Sequence, residues 1–203
     1  MRILTRRLIA LTLVFFLGVP TFGIARSVAN VMPLHNQEGR NFCTAWSIHE
    51  KNALWATAGH CVAAALERGY TIFISGKPAT IVFYGFDETR DIAVLHVEGV
   101  RAPAWALAGR AAAVGEDLSI VGHPYGLPVL VTTTGKMAAR NVPIAKRPVS
   151  DILDITVAGG NSGSPVVRNG RIVGLLWGGF IDSPHSLSIP WESIVRDIGI
   201  YFE

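Results

Sequence analysis

The sequence has only two cysteines and little charge: 16% of its residues are Asp, Glu, Lys or Arg, against 50% that are apolar. That balance excludes a solvated, disordered chain, and 203 residues suffice for one good-sized domain or two small ones sharing an interface. No internal repeat and no low-complexity tract is present. No apolar run reaches the roughly 20 residues that a bilayer-spanning helix needs. There is also no basic block interleaved with aromatics, so nothing points to a nucleic-acid partner.

The formal charge of +3 comes from the first residues. Arg2, Arg6 and Arg7 precede an apolar stretch, Leu8 to Val19, that Pro20 ends. "TFGIA" then sets Gly23 and Ala25 at the two positions a signal peptidase reads, so residues 1–25 read as a secretory signal peptide and 26–203 as the mature chain. The alternative is an uncleaved segment that tethers the protein to a membrane. Removal of 1–25 takes three arginines and no acid, leaving 15 basic against 15 acidic residues. The basicity therefore argues for a secreted or periplasmic location and says nothing about nucleic acid.

Cys43 and Cys61 both follow the leader. In an oxidising compartment an even pair is most simply one disulfide. It would close a loop of about 17 residues, worth roughly 3 kcal/mol in the chain-entropy model. The competing reading is a metal site of Cys43, His49, His60 and Cys61, whose spacing fits no common zinc pattern.

Short runs rich in β-branched and aromatic residues predict strands at 42–48, 71–75, 79–85, 92–97 and 127–135. Two apolar runs flank Asn169-Gly170 within 164–177, a strong type I′ hairpin signal. Helices are expected over 61–68, ending at Gly69, and over 190–200, opening with a proline in the first turn. The pattern is all-β, closed by a C-terminal helix. The alanine-rich stretch 101–117 is a weak midpoint that could join two halves, about 28–110 and about 111–203.

Three stretches carry chemistry together: "TAGHC" (57–61), "DIAVL" (91–95) and "GGNSGSP" (159–165). Taken singly, each is unremarkable: a packed histidine, an aspartate in a turn, a polar turn. In combination they supply what acyl transfer needs. Ser162 is a weak nucleophile without a base that titrates near neutrality, which His60 provides. Asp91 can accept from the other imidazole nitrogen and so fix its tautomer. The glycines let the N–H groups of Gly160 and Ser162 converge on an oxyanion.

The chain resembles the trypsin/chymotrypsin superfamily, most closely its HtrA (Do-like) branch. "TAGHC" is similar to the histidine motif and "DIAVLHVEG" to the aspartate strand. "VGEDLSIVGHPYGLP" (114–128) resembles the branch's strand and Gly-x-Pro-x-Gly turn. "GGNSGSP" with "VVRNGRIVGLLW" resembles its serine hairpin, and "LSIPWESI" its closing helix. The resemblance runs from about residue 40 to 200.

It implies two perpendicular six-stranded antiparallel β-barrels, with His60 and Asp91 from the first and Ser162 from the second. It implies pairing of Cys61 with the upstream Cys43, a feature more typical of the chymotrypsin branch. It also implies Thr156, six before the serine, as the base of the specificity pocket, with Trp177 and Gly178 on the lining strand. With no carboxylate at Thr156 the residue before the cut is expected to be small or medium and uncharged; Asp154, two residues earlier, could enter only by a register shift. The expected function is an exported serine endopeptidase acting on proteins or peptides, with no metal and no organic cofactor. A non-catalytic homologue that binds proteins through the same cleft, or a small-ester hydrolase, is the alternative. No PDZ domain is expected after the closing helix. Trypsin-like zymogens carry an aspartate before the nucleophile that pairs with a freed N-terminus. Asn161 cannot hold a buried ammonium in that way, and "RSVANVMPL" lacks the N-terminal sequence those zymogens release, so activation is expected to need only removal of the leader.

Overall fold

The computed structural model describes residues 30–180 and 182–203, so the leader and tether expectations for 1–25 lie outside the described residues. Among the described residues no helix is long and apolar enough to cross a membrane.

Seven strands form the first half: β1 (Val31–His35), β2 (Asn41–His49), β3 (Leu54–Thr57), β4 (Phe73–Ile74), β5 (Lys77–Pro78), β6 (Thr80–Phe86) and β7 (Asp91–His96). They make one antiparallel sheet in the order β5-β4-β1-β2-β3-β7-β6. Helix α1 (Gly59–Glu67) leaves β3 and packs on β6 and β7. The second half holds β8 (Asp117–Gly122), β9 (Val131–Val142), β10 (Ser150–Asp154), β11 (Pro165–Arg168), β12 (Arg171–Gly179) and β13 (Ser186–Pro190). These close into a six-stranded barrel, β10-β13-β12-β11-β8-β9. Helix α2 (Trp191–Ile198) and a 3₁₀ turn (Gly199–Phe202) end the chain.

The architecture is chymotrypsin-like, with one difference from expectation. The barrel of the second half closes on six strands, whereas the first half is a curled, open sheet of seven. Its edge explains why. The expected strand 71–75 shrinks to Phe73–Ile74 because Ser75 (φ 52°) and Gly76 (φ 73°) turn the chain sharply into β5. Pro78 in β5 has no N–H with which to extend the ladder. The strand expected at 127–135 starts later, at Val131, and runs on to Val142, because Pro124–Gly126 form a 3₁₀ turn that Leu127 caps. The 164–177 hairpin forms as expected. Asn169 (φ 50°) and Gly170 (φ 73°) both take the positive φ that a type I′ turn requires.

Two cores result. The barrel interior is filled by Leu118, Ile120, Met137, Leu153, Val166 and Val173. The first sheet's core, around Trp46, Trp55, Ile92 and Leu95, also takes in Val121, Ile172 and Leu175 from the barrel and Ile194 and Ile198 from α2. The C-terminal helix thus staples the barrel to the first sheet, and burial of each isoleucine contributes about 1.5–3 kcal/mol. The connection 97–116 carries no strand; Trp105 N–H donates to Ser47 O and Ala108 N–H to Ile172 O, pinning it to both halves.

Candidate active site

Helix α1 begins two residues before the expected start, which places His60 in its first turn. Early N–H groups of a helix have no partner within it, and Ala58 at the N-cap has no side chain to offer. Asp91 fills that role from β7. Its Oδ1 accepts from the His60 backbone N–H at 2.7 Å, and its Oδ2 lies 2.9 Å from His60 Nδ1. Asp91 is 1% exposed and the His60 side chain 29% exposed, so one end of the pair is sealed and the imidazole reaches solvent. The partial positive charge of the helix N-terminus favours a carboxylate there. Close packing makes this possible: a Cβ on Gly59 would fall within van der Waals radii of Gly85 O and stand 2.9 Å from Ile92 N. No other residue lets α1 come so near the strands that carry Asp91. Phe86 on β6 flanks the imidazole, ring centroids 6.3 Å apart.

Ser162 comes from the barrel side, in the turn before β11. Its carbonyl accepts from Thr44 N–H on β2 at 2.8 Å, which ties the turn to the first sheet next to the Cys43–Cys61 disulfide. Cys61 Sγ lies 3.9 Å from the same carbonyl. The turn carrying Ser162 is therefore tied to the first sheet beside Cys61, the chain neighbour of His60. The disulfide excludes the metal alternative for its two sulfurs. Cys43, His60 and Cys61 do lie within 4.8 Å of one another, but neither sulfur is a thiolate. His49 sits at the far end of β2, its Nε2 3.1 Å from Glu203 O.

The turn 159–163 is set peptide by peptide. Gly159 O accepts from Tyr125 N–H at 2.5 Å. In a planar trans peptide C=O and N–H point in opposite directions, so Gly160 N–H is turned away from the Tyr125 turn. Among the described residues neither Gly160 N–H nor Ser162 N–H donates to a backbone carbonyl. Gly160 has φ +93°, and a Cβ there would stand 2.5 Å from His123 O. Tyr125 holds φ 56°, a left-handed conformation that costs a non-glycine residue about 1–2 kcal/mol. Asn161 is 4% exposed and packs with Ser164 over Gly122, where a Cβ would come within 2.8 Å of its Oδ1.

Thr44, fully buried, was not foreseen as part of the site. Its Oγ1 donates to Gly160 O at 2.9 Å and accepts from His123 N–H at 3.1 Å. The only signal in the sequence is a small polar residue flanked by apolar ones in a strand, a pattern that Ser47 shares. Thr44→Val keeps the shape and leaves two buried backbone groups unpaired, each a penalty of about 1–3 kcal/mol. We expect kcat on a peptide to fall about 10- to 100-fold with KM within about twofold, and Thr44→Ser to retain most activity. Equal kcat in the valine variant and the wild type would rule out this positioning role.

Beside Ser162 lies a cavity of about 250 Å³ lined by Val157, Ala158, Gly159, Leu176, Gly178 and Phe180. Of the three residues expected to form the specificity pocket, Gly178 lines this cavity. Thr156 and Trp177 do not. Thr156 is exposed, and the wall is its neighbour Val157. Trp177 points to the other face of β12, with its Nε1 donating to Ser150 Oγ at 3.0 Å and Arg147 5.9 Å from its ring. Alternation along a strand sends neighbours to opposite faces, and β12 carries a bulge between Leu176 and Gly178. Asp154 ends β10 exposed and outside the cavity lining.

Residues 43–175, most of the described chain, match the trypsin-like peptidase domain. The chain belongs to the trypsin-like peptidase family. Among curated proteins the trypsin-like domain is similar to the serine protease Rv3671c of Mycobacterium tuberculosis, 27% identical over 135 residues, covering 62% of this chain and 34% of that protein. It is also similar to the serine protease PepD of the same organism, 33% identical over 115 residues, covering 51% and 25%. The matches thus span between a quarter and about a third of these relatives' length. Solved structures share the fold. The active form of the Rv3671c protease has a TM-score of 0.67 at 22% identity, covering 87% of this chain and 82% of that one. The HtrA-type protease AlgW with a tripeptide has a TM-score of 0.72 at 21% identity, covering 89% and 62%.

Proposed function

We propose that this trypsin-like domain is an exported serine endopeptidase. The observation that carries the reading is the doubly bonded Asp91–His60 pair, with the Ser162 carbonyl clamped by Thr44 N–H beside Cys61, the residue that follows His60. Ser162 attacks the scissile carbonyl, His60 takes its proton and returns it to the leaving amine, and Asp91 holds the tautomer and stabilises the imidazolium. The N–H groups of Gly160 and Ser162 receive the oxyanion. Water activated through His60 then releases the acyl group. No metal or organic cofactor takes part in this scheme.

The apolar wall of Val157, Ala158, Leu176 and Phe180 suits an uncharged side chain before the cut, since a cation there would be desolvated without a partner. Residues 1–25 act as the export signal, and 26–203 are the peptidase, secreted or periplasmic. Asn161 supports activation without a charged N-terminal switch: it is neutral, buried and already packed under the turn.

A fluorophosphonate probe separates this reading from a binding module. Wild-type protein is expected to be labelled at Ser162 and Ser162→Ala to remain unlabelled, with casein degraded only by the former. A folded wild-type protein that takes no label would end the proposal.

A further inference from the structure

A second cavity, of about 230 Å³, lies on the first sheet, away from the apolar cavity of the barrel. It is lined by the buried Ala65 and by Ala64, Asn41, Phe42 and Tyr70, with two exposed cations, Arg40 and Arg68. Its position relative to Ser162 follows from the chain. Phe42 directly precedes Cys43 and Thr44, and Thr44 N–H holds the Ser162 carbonyl. Asn41 Nδ2 donates to Gly126 O at 2.8 Å, in the same turn whose Tyr125 N–H holds Gly159 O. On α1, His60, Ala64 and Arg68 follow at four-residue intervals and so share one face. The imidazole and the arginine are about 12 Å apart along the helix.

The residue before the cut, on the proposed function, occupies the cavity beside Ser162 on the barrel. We infer that the segment after the cut leaves on the first-sheet side, across the Cys43–Cys61 disulfide that adjoins the Ser162 carbonyl and past Phe42, toward the arginines. At about 3.3 Å per extended residue, 12 Å corresponds to the second to fourth residue beyond the scissile bond. Charge at the rim is not balanced. Arg40 pairs with Glu38, but Arg68 has no carboxylate partner among the described residues. Arg68 caps the C-terminus of α1, where the helix dipole favours a cation. Glu67 points about 100° away around the helix.

We propose that this cavity is a subsite for the departing half of the substrate, and that Arg68, aided by Arg40, selects an acidic side chain two to four residues after the cut. The proposal rests on the peptidase reading above for its direction. An incoming Asp or Glu gains attraction from an exposed cation, and a Lys is repelled. Both effects are modest and screened by salt.

The test uses internally quenched peptides identical up to the cut, with Glu, Ala or Lys at the second, third or fourth following position. For the wild type, kcat/KM with Glu should exceed that with Lys about tenfold at one or more of these positions. That ratio should fall toward one in 1 M NaCl, invert in Arg68→Glu and shrink in Arg40→Ala. Because the ratio is internal to each variant, a general loss of activity cannot imitate it. A ratio within twofold of one at all three positions, or one unmoved by Arg68→Glu, overturns the subsite. Binding of the same peptides to Ser162→Ala, followed by fluorescence anisotropy, puts the same question without turnover. Tighter binding of the Glu peptide without any cleavage by wild type would retain the subsite and refute the peptidase reading. Equal Kd values for the Glu and Lys peptides would refute the subsite.

Discussion

Asp91→Asn is expected to lower kcat/KM on a peptide about 10⁴-fold, the loss general for Ser-His-Asp triads whose aspartate is replaced by its amide. The reason lies in the two bonds Asp91 makes. The carboxylate accepts from the His60 backbone N–H at 2.7 Å and faces Nδ1 at 2.9 Å, and both contacts require an acceptor on the aspartate. Asparagine has one acceptor oxygen and a donor NH₂. With its oxygen on the backbone N–H, the NH₂ meets Nδ1 and forces the proton to Nε2, where the imidazole cannot accept from Ser162. With the oxygen on Nδ1, the NH₂ confronts the backbone N–H of α1 inside a sealed site. The imidazole is mis-set in either orientation. Ser162→Ala and His60→Ala are expected to be at least as damaging, and the double variants no worse than the singles, because the three groups act as one unit. Steady-state kinetics with a thermal melt decides: turnover within tenfold of wild type in folded Asp91→Asn would remove Asp91 from the mechanism.

Gly160→Ala is expected to lower kcat by about 10²- to 10³-fold, the range for loss of one oxyanion donor. The residue holds φ +93°, and an added methyl would sit 2.5 Å from His123 O and 2.8 Å from Gly126 N. Those neighbours belong to the turn whose Tyr125 N–H orients the Gly159–Gly160 peptide, so the turn cannot move aside without releasing the peptide it holds. KM should change little, because the donor serves the tetrahedral intermediate rather than the bound ground state. A raised KM with an unchanged kcat would assign Gly160 to substrate binding instead.

Much of the site was legible because it is built from local, chemically distinctive strings. "TAGHC", "DIAVL" and "GGNSGSP" are such strings: His60 lies in the first turn of α1, Asp91 opens β7 and Ser162 sits in the turn before β11. The hairpin at Asn169-Gly170 was legible for the same reason, since only such residues accept two successive positive φ values. The pocket was not. Counting back from Ser162 pointed to Thr156, and a motif match pointed to Trp177, yet Val157 and Phe180 line the wall. Which face a strand residue presents depends on register against its neighbour, and the bulge between Leu176 and Gly178 depends on β13.

The sequence by itself marked the all-β class, the Asn169-Gly170 hairpin, the two helices and the candidate reactive groups, and made one disulfide the simplest use of its two cysteines. These follow from side-chain chemistry and from patterns spanning a few residues. The tertiary structure alone decided that the first sheet stays open at Pro78. It alone decided that Asp91 caps the helix carrying His60, and that Thr44 clamps a peptide 116 residues away. It likewise set Arg68 and Arg40 around one cavity. Each of these is a contact between groups that neither period nor motif relates. Their geometry exists only once the two halves have packed around a shared core, where a buried donor or acceptor must find its partner across the interface.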